Sequence, residues 1–291
     1  QIAGDAPLRL WLDGAEATTH DAVRGVTGSF ATTLRALQDA RELGLPTQVN
    51  TTLTRDNVQE LEAMAELLAR HEIVLWSVFF LVPTGRATAE RRLTPAQYEE
   101  AFALLWRQSQ QQPYAIKTTE APHYRRYVMQ TEGAGAARER LGVPNSAALA
   151  APPRAPLGVN DGKGVLFIGH TGQIYPSGFL PVLAGTFPEQ SPVEIYRDSA
   201  VFRALRDPEL LQGKCGRCEY RLICGGSRAR AFALTGNAFA EEPDCDYEPR
   251  VESGEEKATP RSPVAGLEVR LSRPSYPERE SDSPRQLRCA R

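Results

Sequence analysis

Along residues 8–120 short apolar runs alternate with stretches whose apolar residues recur every three or four positions. "LRLWL" at 8–12 reads as a strand that stops at the turn pair Asp13-Gly14. Phe30, Leu34 and Leu37 follow helical spacing behind Ser29, which can cap them, and Gly44 with Pro46 ends that helix. "TQVNTTL" at 47–53 is a β-branched strand. Val58, Leu61, Met64, Leu67 and Leu68 then share one helix face behind Asn57, the expected cap. The run "IVLWSVFFLV" at 73–82 is apolar without alternation, the pattern of a strand covered by helices on both faces. Thr94-Pro95-Ala96-Gln97 is a capping-box start with proline at the first helical position, opening a helix through Trp106. "YAIKTT" at 114–119 is one more strand. This βαβαβαβ order predicts an α/β fold on a parallel sheet with right-handed crossovers.

Further along, the pattern changes. Residues 131–163 are rich in Gly, Ala and Pro and read as a linker or long loop. "GVLFIGHTGQIYPSG" at 164–178 predicts a β-hairpin turning at Thr171-Gly172, and a helix is expected near Pro192–Leu205. From residue 250 to 291 Glu, Ser, Pro and Arg dominate, a composition that predicts disorder. The expected division is therefore 1–130, a linker 131–163, a second unit 164–249 and a tail 250–291.

Composition narrows the function classes. A net charge of −2 lacks the basic excess of a general nucleic-acid binder. The best apolar run is half the length needed to cross a bilayer, so no membrane partner is expected. Gln1–Trp11 lacks the pattern of a signal peptide, which points to the cytoplasm. The first residue is not Met and the chain enters a strand almost at once, so a fragment of a longer protein is expected.

The chemistry concentrates in "KCGRCEYRLICGGSRARA". Cys215, Cys218 and Cys224 stand at C-x2-C-x5-C, and Cys245 follows in "EPDCDYEP". The remaining cysteine, Cys289, lies in the tail and is assigned no structural role. A C-x2-C loop points two thiols at one centre, and four thiolates suit either structural zinc or an iron–sulfur cluster. Spacing alone leaves these two open. The four histidines show no ligand spacing. His20 is expected to fix a loop and His71 to end a helix, while His170 and Tyr175 border the hairpin, where they could face a substrate. Arg228 or Arg230 is expected to offset the charge of an anionic cluster.

"CGRCEYRLICGG" followed by Cys245 resembles the auxiliary-cluster segment of the SPASM domain, found after the barrel in many radical S-adenosylmethionine (radical SAM) enzymes. That family uses seven cysteines for two 4Fe–4S clusters. Here Ser177 stands where the G-x4-C element has cysteine, and Arg228 stands where the x3-C partner of Cys224 falls. Both positions serve the same cluster in the family. The resemblance therefore implies one auxiliary 4Fe–4S cluster, on Cys215, Cys218, Cys224 and Cys245.

The front half resembles the same family. "LWLDGAEATTHDAVRGVTGSFATTLRAL" is similar to a barrel strand and its helix, and "VNTTLTRDN" and "WSVFFLVPTGRA" are similar to the next two strands with their loops. The implied fold is the rear half of a partial (β/α) barrel followed by a small α+β iron–sulfur domain, over residues 8–249. The resemblance puts Asn50, Thr52 and Arg55 near the methionine carboxylate or ribose of S-adenosylmethionine. It gives the backbone of Leu81, Val82, Pro83 and Thr84 to the adenine. Trp11 departs from the pattern, since relatives often carry a small polar residue there.

Radical SAM chemistry needs a C-x3-C-x2-C loop, and residues 1–213 contain no cysteine. The resemblance thus implies a parent longer at its N-terminus, holding S-adenosylmethionine and a second 4Fe–4S cluster, and a chain that alone does not cleave the cofactor. In the parent it implies radical modification of a peptide or tetrapyrrole-like substrate, fed by an electron donor such as ferredoxin or flavodoxin. The rival expectation is a zinc-binding interaction module on a catalytically inactive α/β platform.

Overall fold

Four strands, β1 (Leu8–Trp11), β2 (Thr47–Leu53), β3 (Leu75–Phe80) and β4 (Ala115–Thr119), pair in chain order as one parallel sheet. The structure is a computed structural model and describes residues 7–85, 87–133 and 158–250. Side chains alternate along a strand, so the register sorts the sheet into two faces. One face carries Leu10, Leu12, Val49, Leu53, Trp76, Val78, Phe80 and Ile116. It packs on helices α2 (Ser29–Glu42), α3 (Leu61–Arg70) and α4 (Pro95–Gln111) in the main core. The opposite face is mostly polar: Trp11, Asn50, Ser77 and Lys117 form one row across it, with Thr52, Phe79 and Thr119 in the next. The expectation that β3 is covered by helices on both faces is therefore corrected. Its apolar run mixes core residues with Ser77 and Phe79, which belong to the polar face.

Two expected helix caps also differ. Ser29 does not cap α2; Gly28, at φ 83°, holds that position. The anion comes instead from helix α1 (Ala17–Arg24). Asp21 accepts from the Gly28 and Phe30 N–H groups at 2.6 and 2.8 Å and from the Ser29 hydroxyl at 2.9 Å. Asn57 makes no side-chain cap bond to the 3-10 turn Val58–Glu60 that leads into α3. Its buried carboxamide accepts the Thr54 N–H at 2.8 Å and donates to the Asp13 and Thr52 carbonyls at 2.9 Å each, tying the ends of β1 and β2. The capping box at Thr94 and Gln97 forms as expected, and α4 runs past Trp106 to Gln111.

After β4 comes helix α5 (Tyr124–Glu132). The hairpin β5 (Phe167–Ile168) and β6 (Gln173–Tyr175) turns at Gly172, and β7 (Gly185–Thr186) joins β6 antiparallel. Gly172 sits at φ 90°, and a Cβ there would strike the Phe187 carbonyl, so the turn needs glycine. The single helix expected near 192–205 is two, α6 (Pro192–Asp198) and α7 (Ala200–Arg206). Extended backbone at Ser199 breaks it, and the Ser199 hydroxyl caps the second piece. Two short helices follow, α8 (Gly213–Arg217) and α9 (Arg228–Thr235).

A second core of Val82, Leu180, Val182, Ala229 and Ala238 forms where the loop after β3 meets this region. Of the expected linker, residues 134–157 lie outside the described residues, as do residues 251–291 of the expected tail with Cys289. Among the described residues no helix is long and apolar enough to cross a membrane.

Candidate metal centre

Helix α8 and the loop after it carry Cys215, Cys218 and Cys224, and the segment after α9 returns with Cys245. All four thiols line one cavity, together with His123, Arg126, Lys214 and Glu242. Gly225 and Gly226, at φ 70° and 64°, turn the chain back after Cys224. A Cβ at Gly226 would lie 2.7 Å from the Glu242 Cβ, so glycine is needed for the two segments to close. No three His, Cys, Asp or Glu side chains among the described residues gather as they would around a single metal ion.

The sulfurs are aimed at by backbone amides. Glu242 N–H donates to Cys215 Sγ at 3.2 Å, Tyr220 N–H to Cys218 Sγ at 3.4 Å and Gly226 N–H to Cys224 Sγ at 3.4 Å. The Arg228 guanidinium stands 4.0 Å from Cys215 Sγ, and Lys214 Nζ bonds the Cys245 carbonyl. Burial raises all four thiol pKa values: Cys245 is pushed up to about 11 and Cys224 well above the ordinary thiol range. Thiols so placed give up their protons when a metal centre takes their place. Four sulfurs on one cavity, with N–H donors and cations around them, have the chemistry of a ligand set for zinc or for an iron–sulfur cluster.

A buried ionic cluster joins this cavity to the carboxyl end of the sheet. Arg230, on the first turn of α9, donates through Nη1 to both oxygens of Glu242. Its Nε lies 3.2 Å from Asp244 and 3.2 Å from the Leu81 carbonyl, and its Nη2 donates to the Glu120 carbonyl at 2.6 Å. The guanidinium also covers the Tyr98 ring at 5.2 Å, while Arg92 pairs with Asp244. Ser227 caps α9 through the Arg230 N–H and donates its hydroxyl to Glu120 and its N–H to Glu242, both at 2.6 Å. Burial disfavours charge on Glu242, but Arg230, His123 and the Ser227 N–H bring its pKa down to about 2. Glu120 differs. It sits at φ 58° just past β4, and burial followed by the Asp161 carboxylate pushes it up to about 8.

Ser177 and Arg228, the two positions where the resemblance expects cysteine, both meet Asp161. The Ser177 hydroxyl donates to one Asp161 oxygen and the Ala229 N–H to the other, the latter at 2.9 Å. Arg228 is buried and gives Nη1 to the Ala238 and Ala240 carbonyls at 2.8 and 2.6 Å. Of the two arginines considered for charge compensation, Arg228 is the one near a thiol. Arg230 is committed to Glu242 and Asp244.

The residues expected at S-adenosylmethionine are split between surfaces. Asn50 and Thr52 share the polar sheet face; the Asn50 carboxamide accepts from Gln48 at 2.7 Å, and Thr52 N–H donates to Asp13 at 2.6 Å. Arg55 is exposed beyond the strand, its N–H bonded to the Arg91 carbonyl at 2.9 Å. In the loop after β3 the Leu81 carbonyl is taken by Arg230 and the Val82 carbonyl by Thr84 N–H, while Val82 packs into the second core. That leaves Pro83 and Thr84 as the more open part. Trp11, in the same row as Asn50, lies tilted against Phe79 with ring centroids 5.3 Å apart and 5.0 Å under Arg24.

Among the histidines, His20 does hold its loop, its Nδ1 accepting the Asp13 N–H at 3.0 Å, and His71 follows the last residue of α3. His170 is exposed on the hairpin turn; neither it nor Tyr175 lines the thiol cavity. His123, Glu120 and Glu242 are parts of this region that sequence reasoning missed. The one available signal was the acidic run "EEPDCDYE" around a metal-type cysteine.

No protein-family profile matches the chain. The SuiB protein of Streptococcus suis, solved with bound S-adenosylmethionine, shares the fold with a TM-score of 0.58 at 14% identity, over 82% of this chain and 53% of that one. The α/β fold of this chain thus has a counterpart among solved structures. The AdoMet-dependent heme synthase of Methanosarcina barkeri is 40% identical over 249 residues, covering 86% of this chain and 70% of that protein. The protein of the same name from Nitratidesulfovibrio vulgaris is 40% identical over 253 residues, covering 86% and 67%. The chain belongs to the radical SAM maturase-like family. It spans about two thirds of these curated relatives and about half of the solved structure.

Proposed function

We propose that this chain is the part of a radical SAM enzyme that carries one auxiliary 4Fe–4S cluster, in an enzyme that modifies a tetrapyrrole. The observation that carries the reading is the meeting of Cys215, Cys218, Cys224 and Cys245 on one cavity, with backbone N–H donors to the sulfurs of the first three. When bound, the cluster supplies a one-electron couple or an iron face for the substrate. The tetrapyrrole side of the substrate expectation is favoured because the 40%-identical relatives are named heme synthases. A single zinc ion draws its thiolates to about 2.3 Å. The rival zinc module is told apart from the cluster by the metal and sulfide content of the protein.

In this reading residues 1–130 hold S-adenosylmethionine at the carboxyl ends of the strands, with Asn50, Thr52, Arg55 and the loop 81–84 in reach of it. Residues 164–249 are the SPASM-type unit. Residues 1–213 offer no thiol, so the ligands of a cofactor-cleaving cluster are not among them, and cleavage is assigned to a longer protein. A ferredoxin- or flavodoxin-like donor would reduce it, in the cytoplasm.

The test is anaerobic reconstitution of the chain with iron and sulfide, then addition of haem as the tetrapyrrole probe. The expected product holds about four irons and four sulfides, absorbs near 400 nm and shifts the haem absorption band on binding. A colourless protein with one zinc per chain and no sulfide refutes the cluster; an unshifted haem band refutes the substrate class.

A further inference from the structure

His123 immediately precedes α5 and is completely buried. Its ring meets Phe102 edge-on, with centroids 4.9 Å apart at 71°, and lies 5.0 Å from the Tyr98 ring. It is also a wall of the cavity lined by the four thiols. Neither Nδ1 nor Nε2 has a hydrogen-bond partner among the described residues.

A buried polar atom left unmatched costs about 1–3 kcal/mol, and such atoms in a native fold point to a partner not yet counted. Among the neighbouring polar groups Arg126 Nε also lacks a partner, but it is a donor and cannot receive the imidazole N–H. Glu242 is held by Arg230 and Ser227, and Arg126 is held by Glu99 and Gln130. Burial, with Arg230, Arg126 and Lys214 close by, keeps the imidazole neutral, its pKa pushed down to about 3. A neutral imidazole has one N–H to give and one nitrogen to receive. The cavity it faces is otherwise furnished with sulfur, and a cluster sulfur accepts N–H donors.

We propose that His123 donates a hydrogen bond to a sulfur of the cluster held by Cys215, Cys218, Cys224 and Cys245, and thereby raises its reduction potential. This rests on the reading of those thiols as cluster ligands. The bond spreads the negative charge of the cluster, which favours the more negative reduced form. His123 is then a positioning and tuning residue rather than a ligand. Neither its spacing from the cysteines nor its place in "APHYRR" marks it out.

The test compares the wild-type chain with His123→Asn and His123→Phe after reconstitution with iron and sulfide. Iron and sulfide are counted, and midpoint potentials are read by EPR-monitored titration. All three are expected to hold the same cluster. The potential of His123→Phe falls, and His123→Asn, which keeps an N–H, lies between. Histidine labelled with ¹⁵N is expected to show a weak nitrogen coupling to the reduced wild-type cluster that is lost in both variants.

Equal potentials across the set overturn the proposal, and a strong coupling typical of a bonded nitrogen overturns it in favour of ligation. If His123→Phe does not fold, wild type against His123→Asn decides by the same two readings. A wild-type chain that takes up no iron and sulfide overturns the cluster reading as well; one that takes them up without any potential shift overturns only the role of His123.

Discussion

Arg230 spans both carboxylate oxygens of Glu242, at 3.0 and 3.1 Å, with both side chains out of solvent. Removing one partner of a buried pair strands the other, at a cost of about 3–5 kcal/mol. Arg230→Met is therefore expected to lose that much stability in urea denaturation. The double variant Arg230→Met/Glu242→Met should lose clearly less than the sum of the two single changes. Strictly additive losses would show that the pair does not act as a unit.

Each of Cys215→Ser, Cys218→Ser, Cys224→Ser and Cys245→Ser is expected to abolish or deplete bound iron and sulfide, because a hydroxyl replaces a thiolate ligand. Cys289→Ser should leave the metal content at the wild-type level. Metal and sulfide analysis of anaerobically reconstituted protein reads both results. Full retention of iron in any of the first four removes that residue from the ligand set.

Glu120 makes stability depend on pH. Its carboxyl titrates at about 8 in the folded chain, against 4.5 ordinarily. The folded state thus keeps a proton that the unfolded chain has released, and stability falls where that difference exists. The contribution is fully present below 4.5 and is lost as pH rises through about 8. Glu120→Gln should flatten urea midpoints measured from about pH 5 to about pH 9 and raise the alkaline end relative to wild type. An unchanged slope would assign the pH dependence elsewhere, with Asp161 the first alternative.

Asn57 serves three backbone groups at once, from Thr54, Asp13 and Thr52. Asn57→Ala leaves them buried without partners, and a loss of about 2–3 kcal/mol is expected. Asn57→Asp keeps the acceptor for Thr54 but turns the donor side into a second acceptor against two carbonyls, so it should not rescue. A loss of only a few tenths, as for an exposed helix cap changed to glycine, would return Asn57 to the role its sequence position suggests.

These cases show where the sequence was informative. The strands β1 to β4 were legible because β-branched and aromatic runs are bounded by turn residues, and the order follows from strand–helix alternation. The thiol set was legible because three of its members sit in one short segment. The cap of α2 was not, since its carboxylate belongs to Asp21 on another helix. The two faces of β3 were not, because Phe79 on the polar face is as apolar as its core neighbours. His123 and Glu242 owe their roles to approaches between segments distant in sequence. No local pattern encodes such approaches.

The grip of Arg230 on the carbonyls of Leu81 and Glu120, with Glu242 reaching on to Cys215, has a thermodynamic consequence. Binding at the thiols and unfolding of the sheet draw on one equilibrium, and linkage makes their influence reciprocal. A chain stripped of metal should melt its sheet at lower denaturant, and a substitution deep in the sheet should let a chelator take the metal sooner. The rate of metal loss then reports on strands that touch no sulfur.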